Sequence, residues 1–531
     1  MLTSAILEHL VRSSGPIIHK SGARVRRFSS SGDKFRKFNE GTVERLPFGQ
    51  NYFEWVEADY LDAPLDIHTK TAAESPLLSR NNVGMGFLVL NSKYSGISQI
   101  NGLYRRLADL ETNVYKRFVL VTSMTRKTFS LGLNPSEIFM FLGSMQKLLA
   151  KNTTTLYEPV VNALRNYLYN LADLSYLIFS YKKPLLVYAN GSTAGYGMCL
   201  ASLSNMSACY HHSKFRYSGY NFGMPPLGGL SYVLGRLDGC IGEYLALTGE
   251  EISGTDLIYS GLIERFISPD AIKVLQITSD RLMDLPERET YLHLREHFLP
   301  VKNSYSLHRY EPLIMEHFSK SSIEEIKESL SAGADKSITK SCNLAEGQVK
   351  DWENKTLESI KKNTDKYANV SLSIFVFIFL QGTLKLIKRV KRNTSYLLEK
   401  YARHIHAPLD TPPDYGLDMR HALEKPLHDA IMEEVLTDAI NEEIDAFCDI
   451  TSKILGKNIH LKTSNKWQPF ERSGFAISSV PGLKKLHPDY NPKTGCEYDK
   501  KMMERQVERW SDTFLQKELL MMKRIIETYS N

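Results

Sequence analysis

Short apolar runs separated by turn residues dominate the first half of the chain. "GMGFLVLNS" (84–92) and "KRFVLVTSM" (116–124) are continuous hydrophobic stretches bounded by turn residues, which predicts short buried strands. "SEIFMFLGSMQKLLAKN" and "LYEPVVNALRNYLYNLADLSYLIFSY" read as helices. "KPLLVYANGSTAGYGMCLASLS" predicts a buried strand running through a glycine-containing turn into a helix. Strand, turn, helix and strand recur over 80–270, so an α/β fold with parallel pairing follows. No repeat period is visible.

Beyond this region the pattern turns helical. Over 320–430, "SSIEEIKESL" opens with a Ser and a Glu three positions on, the spacing of a capping box. The most apolar stretch is 370–388. Its unbroken part, Ile374 to Leu380, falls short of the about 20 residues a membrane span requires, so it reads as a buried helix. "AIMEEVLTDAINEEIDAF" is an acidic helix, followed by the Pro/Gly-broken connector "NKWQPFERSGFAISSVPGLKKLHPDYNPKTG". A last helix over 499–527 carries Met503, Val507, Trp510 and Phe514 at three- and four-residue spacing. That stripe must be buried on its own domain or on a partner protein.

Composition narrows the class only modestly. With 42% hydrophobic and 24% charged residues the 531-residue chain is globular, long enough for two or three folding units. A net charge of +6 allows an anionic partner without requiring one. The six cysteines are scattered, so neither a zinc site nor a disulfide framework is expected, and a reducing compartment fits. The first 33 residues are more informative. Arg12, Lys20, Arg24, Arg26 and Arg27 face one acid, Glu8, before Asp33, and Leu2, Ile6, Leu10 and Val11 share a helical face. This Arg- and Ser-rich amphipathic leader predicts mitochondrial import, the alternative being a basic arm.

Candidate chemistry centres on two turns. Residues 214–237, "KFRYSGYNFGMPPLGGLSYVLGRL", have the Gly and Pro density of a loop framing a catalytic centre. Yet they contain no Asp, Glu, His or Cys. The turn "NGSTAGYGMCL" (190–200) offers backbone N–H groups at a helix start, which can face an anion. His211 and His212 are adjacent, and on a strand they point to opposite faces, so a shared metal is not expected. Lys385, Lys388, Arg389 and Arg392 share a helical face as a candidate RNA or phosphate contact, or as a solvated basic face.

Read in order, "GFLVLNSK", "KTFSLGLN", "KKPLLVYANGSTAGYGMCLA", the 214–237 loop and "EYLALTGEEISGTDLIYSGLIERFIS" make the chain resemble the enoyl-CoA hydratase (crotonase) superfamily, within it 3-hydroxyisobutyryl-CoA hydrolase. "LALTG" at 245–249 is intact, and "DYGLDMRHAL" (414–423) extends the likeness. The resemblance implies repeated ββα turns with helices packing on the C-terminal side. It divides the chain into a transit peptide (1–33), an N-terminal extension (34–80), a crotonase-like core (81–270), a helical C-terminal part of the hydrolase-like fold (271–430) and a C-terminal helical extension (431–531). It also implies two peptide donors polarising a thioester carbonyl, which fall at Leu131 and Tyr196. The acids of the family fall on Gly219, Leu227, Asn170 and Leu171, and a Glu used by other members falls on Cys199. None of these can activate water, and Tyr196 puts a ring in the donor turn. Asp173, Glu158 and Glu243 are the candidate substitutes.

The expectation is therefore a non-catalytic, hydrolase-like protein of the mitochondrial matrix. It has no metal or cofactor beyond a vestigial coenzyme A ester contact. A hydrolase-like relative is built into the small subunit of mitochondrial ribosomes in plants and several protists, so mitochondrial ribosomal proteins and rRNA are the implied partners. The alternative is an active 3-hydroxyisobutyryl-CoA hydrolase of valine catabolism with displaced acids.

Overall fold

The computed structural model describes residues 77–81, 84–125, 127–150, 157–217, 219, 224–285, 287–299, 306–365, 380–393, 417–455 and 466–469. The leader, the N-terminal extension up to residue 76 and the stripe from Met503 to Phe514 lie outside them. The chain divides into two compact units, one within Met1–Phe139, Tyr181–Tyr217 and Glu251–His308, the other within Met140–Ser180, Ser218–Glu250 and Arg309–Asn531.

The first unit carries two sheets. Strands β1 (Leu77–Asn81), β2 (Gly84–Leu90), β3 (Lys116–Ser123), β5 (Leu185–Tyr188), β7 (Met206–Cys209), β10 (Arg265–Ile267) and β11 (Phe298–Leu299) form a seven-stranded sheet in that order. Its five inner strands are parallel, and β1 and β11 close the edges antiparallel. β4 (Thr128–Ser130), β6 (Ser192–Ala194), β8 (Lys214–Arg216) and β9 (Glu251–Ser253) form a second sheet, parallel except for β9. Chain order alternates between the sheets: β3 then β4, β5 then β6, β7 then β8. This is the ββα repeat expected from the resemblance. Inner strands buried on both faces explain why β2 and β3 are apolar runs without alternation. Phe87, Phe118, Leu120, Leu186 and Met206 pack together at the centre of the main sheet.

The helices of this unit include α1 (Ile97–Thr112), starting the connection from β2 to β3, α4 (Tyr196–Ser202), entered from β6, and α7 (Thr255–Tyr259), α8 (Pro269–Thr278) and α9 (Glu287–Glu296). Helix α2 (Pro135–Ala150) follows β4 and α3 (Tyr157–Phe179) precedes β5, where the helical periodicity placed them.

The second unit is helical. It contains α2 from Met140 on, all of α3, α5 (Leu230–Gly235), α6 (Ile241–Thr248), α10 (Leu307–Phe318) from Arg309 on, α11 (Ile323–Ala332), α12 (Lys336–Ser341), α13 (Glu346–Asp365), α14 over 380–393 and α15 (Leu417–Leu455). The capping box forms with a shift. Ser322 Oγ accepts from Glu325 N–H, and the Glu325 carboxylate reaches back to Ser321 N–H at 3.0 Å. His317, from the helix Leu307–Phe318, is fully buried between Ser329 Oγ at 2.9 Å and Glu353 Oε1 at 3.3 Å, which ties three helices. Burial lowers the His317 pKa, with Glu353 opposing. Asn363 Nδ2 donates to the Leu247 and Thr248 carbonyls at 3.0 and 2.9 Å, capping α6.

Candidate active site

The donor turns come together in the first unit. Gly195 enters α4 with φ 48°, a conformation that favours glycine, whereas Tyr196 is the first helical residue and accepts a side chain without backbone strain. Gly197 lies so close to Ser130 that a Cβ would stand 2.7 Å from its Cβ and 2.9 Å from its carbonyl oxygen. Gly132, with φ 91°, leaves the same narrow gap: a Cβ there would be 3.4 Å from Tyr196 N. The glycines flanking the middle position thus hold the two turns together, and only that middle position is free to become Tyr.

One of the two peptide donors is already engaged. Leu131 N–H is spent on Lys93 O at 2.7 Å, in the same run of bonds that joins Ser95 N–H to Gly132 O. The Tyr196 side chain is buried, and so is Cys199.

The second unit holds the positions where the resemblance puts acids. Gly219 O accepts from Met224 N–H at 3.1 Å, while Leu227 is buried at 4% exposure. Asn170 and Leu171 are buried on α3. Helix α3 and the loop are joined directly, Ser175 Oγ donating to Gly228 O at 2.8 Å. The two acid-bearing elements of the resemblance are therefore neighbours here, with no acid at either place.

Two carboxylates stand near these positions, and both are engaged. Asp173, one turn along α3 from Asn170, accepts the Trp467 indole N–H at 2.8 Å, and Trp467 is 2% exposed. Glu443 of α15 is wholly buried and accepts from Gly229 N–H at 2.8 Å and Ser231 N–H at 2.6 Å, at the start of α5. Burial pushes its pKa up to about 7, against hydrogen bonds from Ser231, Gly229 and Gly228 that favour the charged form. Glu243 on α6 is buried with Oε1 3.9 Å from Lys391 Nζ, and its Oε2 has no hydrogen-bond partner among the described residues. Burial raises its pKa, opposed by Lys391 and Lys388. The Glu158 side chain lies outside the described residues.

The enoyl-CoA hydratase/isomerase family model matches residues 97–377, just over half of the chain. The chain belongs to this family. It is 26% identical over 235 residues to probable 3-hydroxyisobutyryl-CoA hydrolase 2 of Arabidopsis thaliana, covering 43% of this chain and 57% of that protein. It is 28% identical over 205 residues to the small ribosomal subunit protein mS47 of the same plant, covering 38% and 47%. The chain thus spans about half the length of the curated relatives it matches. A carnitinyl-CoA dehydratase from Mycobacterium thermoresistibile overlays with a TM-score of 0.48 at 16% identity, covering 75% of this chain and all of that one.

Against that family background, Glu443 and Trp467 are the residues sequence reasoning missed. Glu443 did leave a signal: it falls on the buried stripe of α15 that includes Leu436, Ile440 and Phe447, where an apolar residue is the rule. Trp467 sat in a connector with no periodicity and left none.

The basic helix is partly consumed within the second unit. Lys388 Nζ donates to the Phe318 and Ser319 carbonyls at 3.0 and 2.9 Å, where a cation suits a helix C-terminus. Arg389 approaches Glu442 at 3.6 Å. Lys385 and Arg392 are exposed. His211 and His212 stand exposed in a turn after β7 rather than on a strand. Among the described residues no three metal-ligating side chains cluster, and no helix is long and apolar enough to cross a membrane.

Proposed function

We propose that this chain is a non-catalytic, 3-hydroxyisobutyryl-CoA hydrolase-like protein of mitochondria that serves as a structural component of the mitochondrial ribosome small subunit. The observation that carries the reading is the state of the acid positions. Gly219, Leu227, Asn170 and Leu171 supply no carboxyl group, and nearby Asp173 is buried beneath the Trp467 indole. Hydrolysis of a thioester needs a base that reaches a water, a contribution of typically about 10²–10⁴-fold. Leu131 N–H, already bonded to Lys93 O, has nothing left for a developing oxyanion. The likeness to mS47 and to proteins named as mitochondrial hydrolases supports the compartment and the assembly. The basic leader fits import into the matrix; exposed Lys385 and Arg392 are the candidates for contact with rRNA, and the sequence stripe Met503, Val507, Trp510 and Phe514 is the candidate for contact with a protein partner. No cofactor is required, and a vestigial contact to a coenzyme A ester is compatible with this role.

A second reading, an active hydrolase, is favoured by one observation. Glu243 is a buried acid with a raised pKa and one oxygen without a hydrogen bond among the described residues. The two readings separate in one assay with purified protein and 3-hydroxyisobutyryl-CoA. The expected outcome is no release of coenzyme A above the buffer rate. Turnover abolished by Asp173→Asn or Glu243→Gln would overturn the non-catalytic reading. For the assembly, tagged protein in a mitochondrial lysate is expected to sediment with the small subunit and to move to lighter fractions after RNase. Migration as a free protein with and without RNase would count against it.

A further inference from the structure

Away from the candidate site, the turn that ends α9 gathers three side chains from "HLREH", residues 293–297. His293 and His297 are four positions apart, the spacing that puts two side chains on one helical face. His297 follows the helix, its N–H bonded to Leu294 O at 3.3 Å, and leads directly into β11. The two imidazole rings stand with centroids 5.3 Å apart and planes at 87°. Glu296 Oε2 lies 3.3 Å from His293 Nδ1. A carboxylate there holds the proton on Nδ1 and leaves His293 Nε2 with a free lone pair. His297 Nε2 has no hydrogen-bond partner among the described residues. Arg295, the nearest cation in sequence, is turned to Glu264 Oε1 at 3.3 Å.

We propose that His293 and His297 chelate a divalent transition-metal ion of the zinc type, which clips the end of α9 to the edge strand β11. The ring spacing carries it. A zinc–nitrogen bond of about 2.0–2.1 Å puts the ring centroid about 3.2 Å from the ion, and a tetrahedral angle then sets two ligand rings about 5.2 Å apart. The observed separation is 5.3 Å. The His293 side chain is 33% exposed, so an ion and the waters completing its shell have access. The ion also faces the negative end of α9, which favours a cation. Imidazole suits zinc and its neighbours, whereas magnesium and calcium require oxygen ligands. Glu296 is a positioning residue acting through His293, in keeping with the absence of a three-ligand cluster among the described residues.

Calorimetric titration of the full chain with zinc chloride, after treatment with a chelator, tests this. A saturable site is expected, weakened by about tenfold or more in His293→Ala and in His297→Ala, because either change leaves one imidazole in place of a chelate. Glu296→Gln keeps both rings and is expected to weaken binding by about tenfold, the scale for a partner that orients a ligating histidine. His211→Ala combined with His212→Ala is expected to leave the site unchanged, and magnesium chloride is expected not to compete. Wild-type affinity in both His293→Ala and His297→Ala, an adventitious ion only, would overturn the proposal, as would competition by magnesium. A second arm needs no variant. One equivalent of Cu²⁺ on the wild-type chain is expected to show two coordinating imidazole nitrogens by electron paramagnetic resonance, and fewer than two would overturn the chelate. Neither arm measures coenzyme A release, so the proposal stands or falls apart from the non-catalytic reading.

Discussion

Glu443 is the residue at which burial, charge and hydrogen bonding meet most sharply. Its pKa rises from the ordinary 4.5 to about 7 on folding, so the folded state holds the proton more tightly than the unfolded one. The sign follows: this group's contribution to stability is greatest below pH 4.5 and is lost as pH rises through about 7. Glu443→Gln is therefore expected to flatten the fall in stability across that window, read as the wild-type minus variant difference in urea unfolding at several pH values. A variant curve parallel to the wild type would contradict it. Trp467→Phe keeps most of the ring and removes the indole donor to Asp173. It is expected to cost about 1–3 kcal/mol in the same measurement, and less in an Asp173→Asn background, because the two changes share one bond. Residues of this kind are poorly legible in sequence. The absence of any acid from residues 214–237 could be read from the loop alone. The carboxylate that meets its donors lies 214 residues from Gly229, and no local pattern joins them.

At the scale of elements, apolar runs located β2, β3 and β5, and helical periodicity located α2 and α3, because each buries enough surface to leave a pattern. β4, β6, β8 and β9 have three residues each, shorter than a period-2 signal needs, and they exist because a neighbouring strand pairs with them. The turn between β6 and α4 is the most exacting junction. Gly197→Ala is expected to destabilise by about 1–3 kcal/mol, since its Cβ would press on Ser130 backbone. Gly143→Ala in α2 meets nothing within 4 Å and is expected to be neutral or stabilising by about 0.4–1 kcal/mol. Thermal unfolding of the two variants side by side checks both. Equal melting temperatures would show that the close approach at Ser130 is not maintained in solution.

For the whole molecule, the family was legible because ordered motifs run along the chain, while its assembly state was not, because a partner surface has no required local pattern. Exposed Lys385 and Arg392 illustrate this: sequence gave four basic residues one face, but Lys388 and Arg389 are engaged with neighbouring backbone and Glu442. If the remaining pair contacts RNA, Lys385→Glu combined with Arg392→Glu is expected to reduce co-sedimentation with the small subunit while leaving thermal stability within about 0.5 kcal/mol, as for exposed sites generally. Unchanged sedimentation would assign the pair to solvent. The Glu443 contact also sets a schedule. Gly229 leaves the ribosome 214 residues before its acceptor, a gap of tens of seconds at roughly 5–20 residues per second. Until then, α5 begins with donors that have no acceptor from this helix. The second unit is thus completed late in synthesis, and a nascent chain stalled short of residue 443 presents that opening to chaperones.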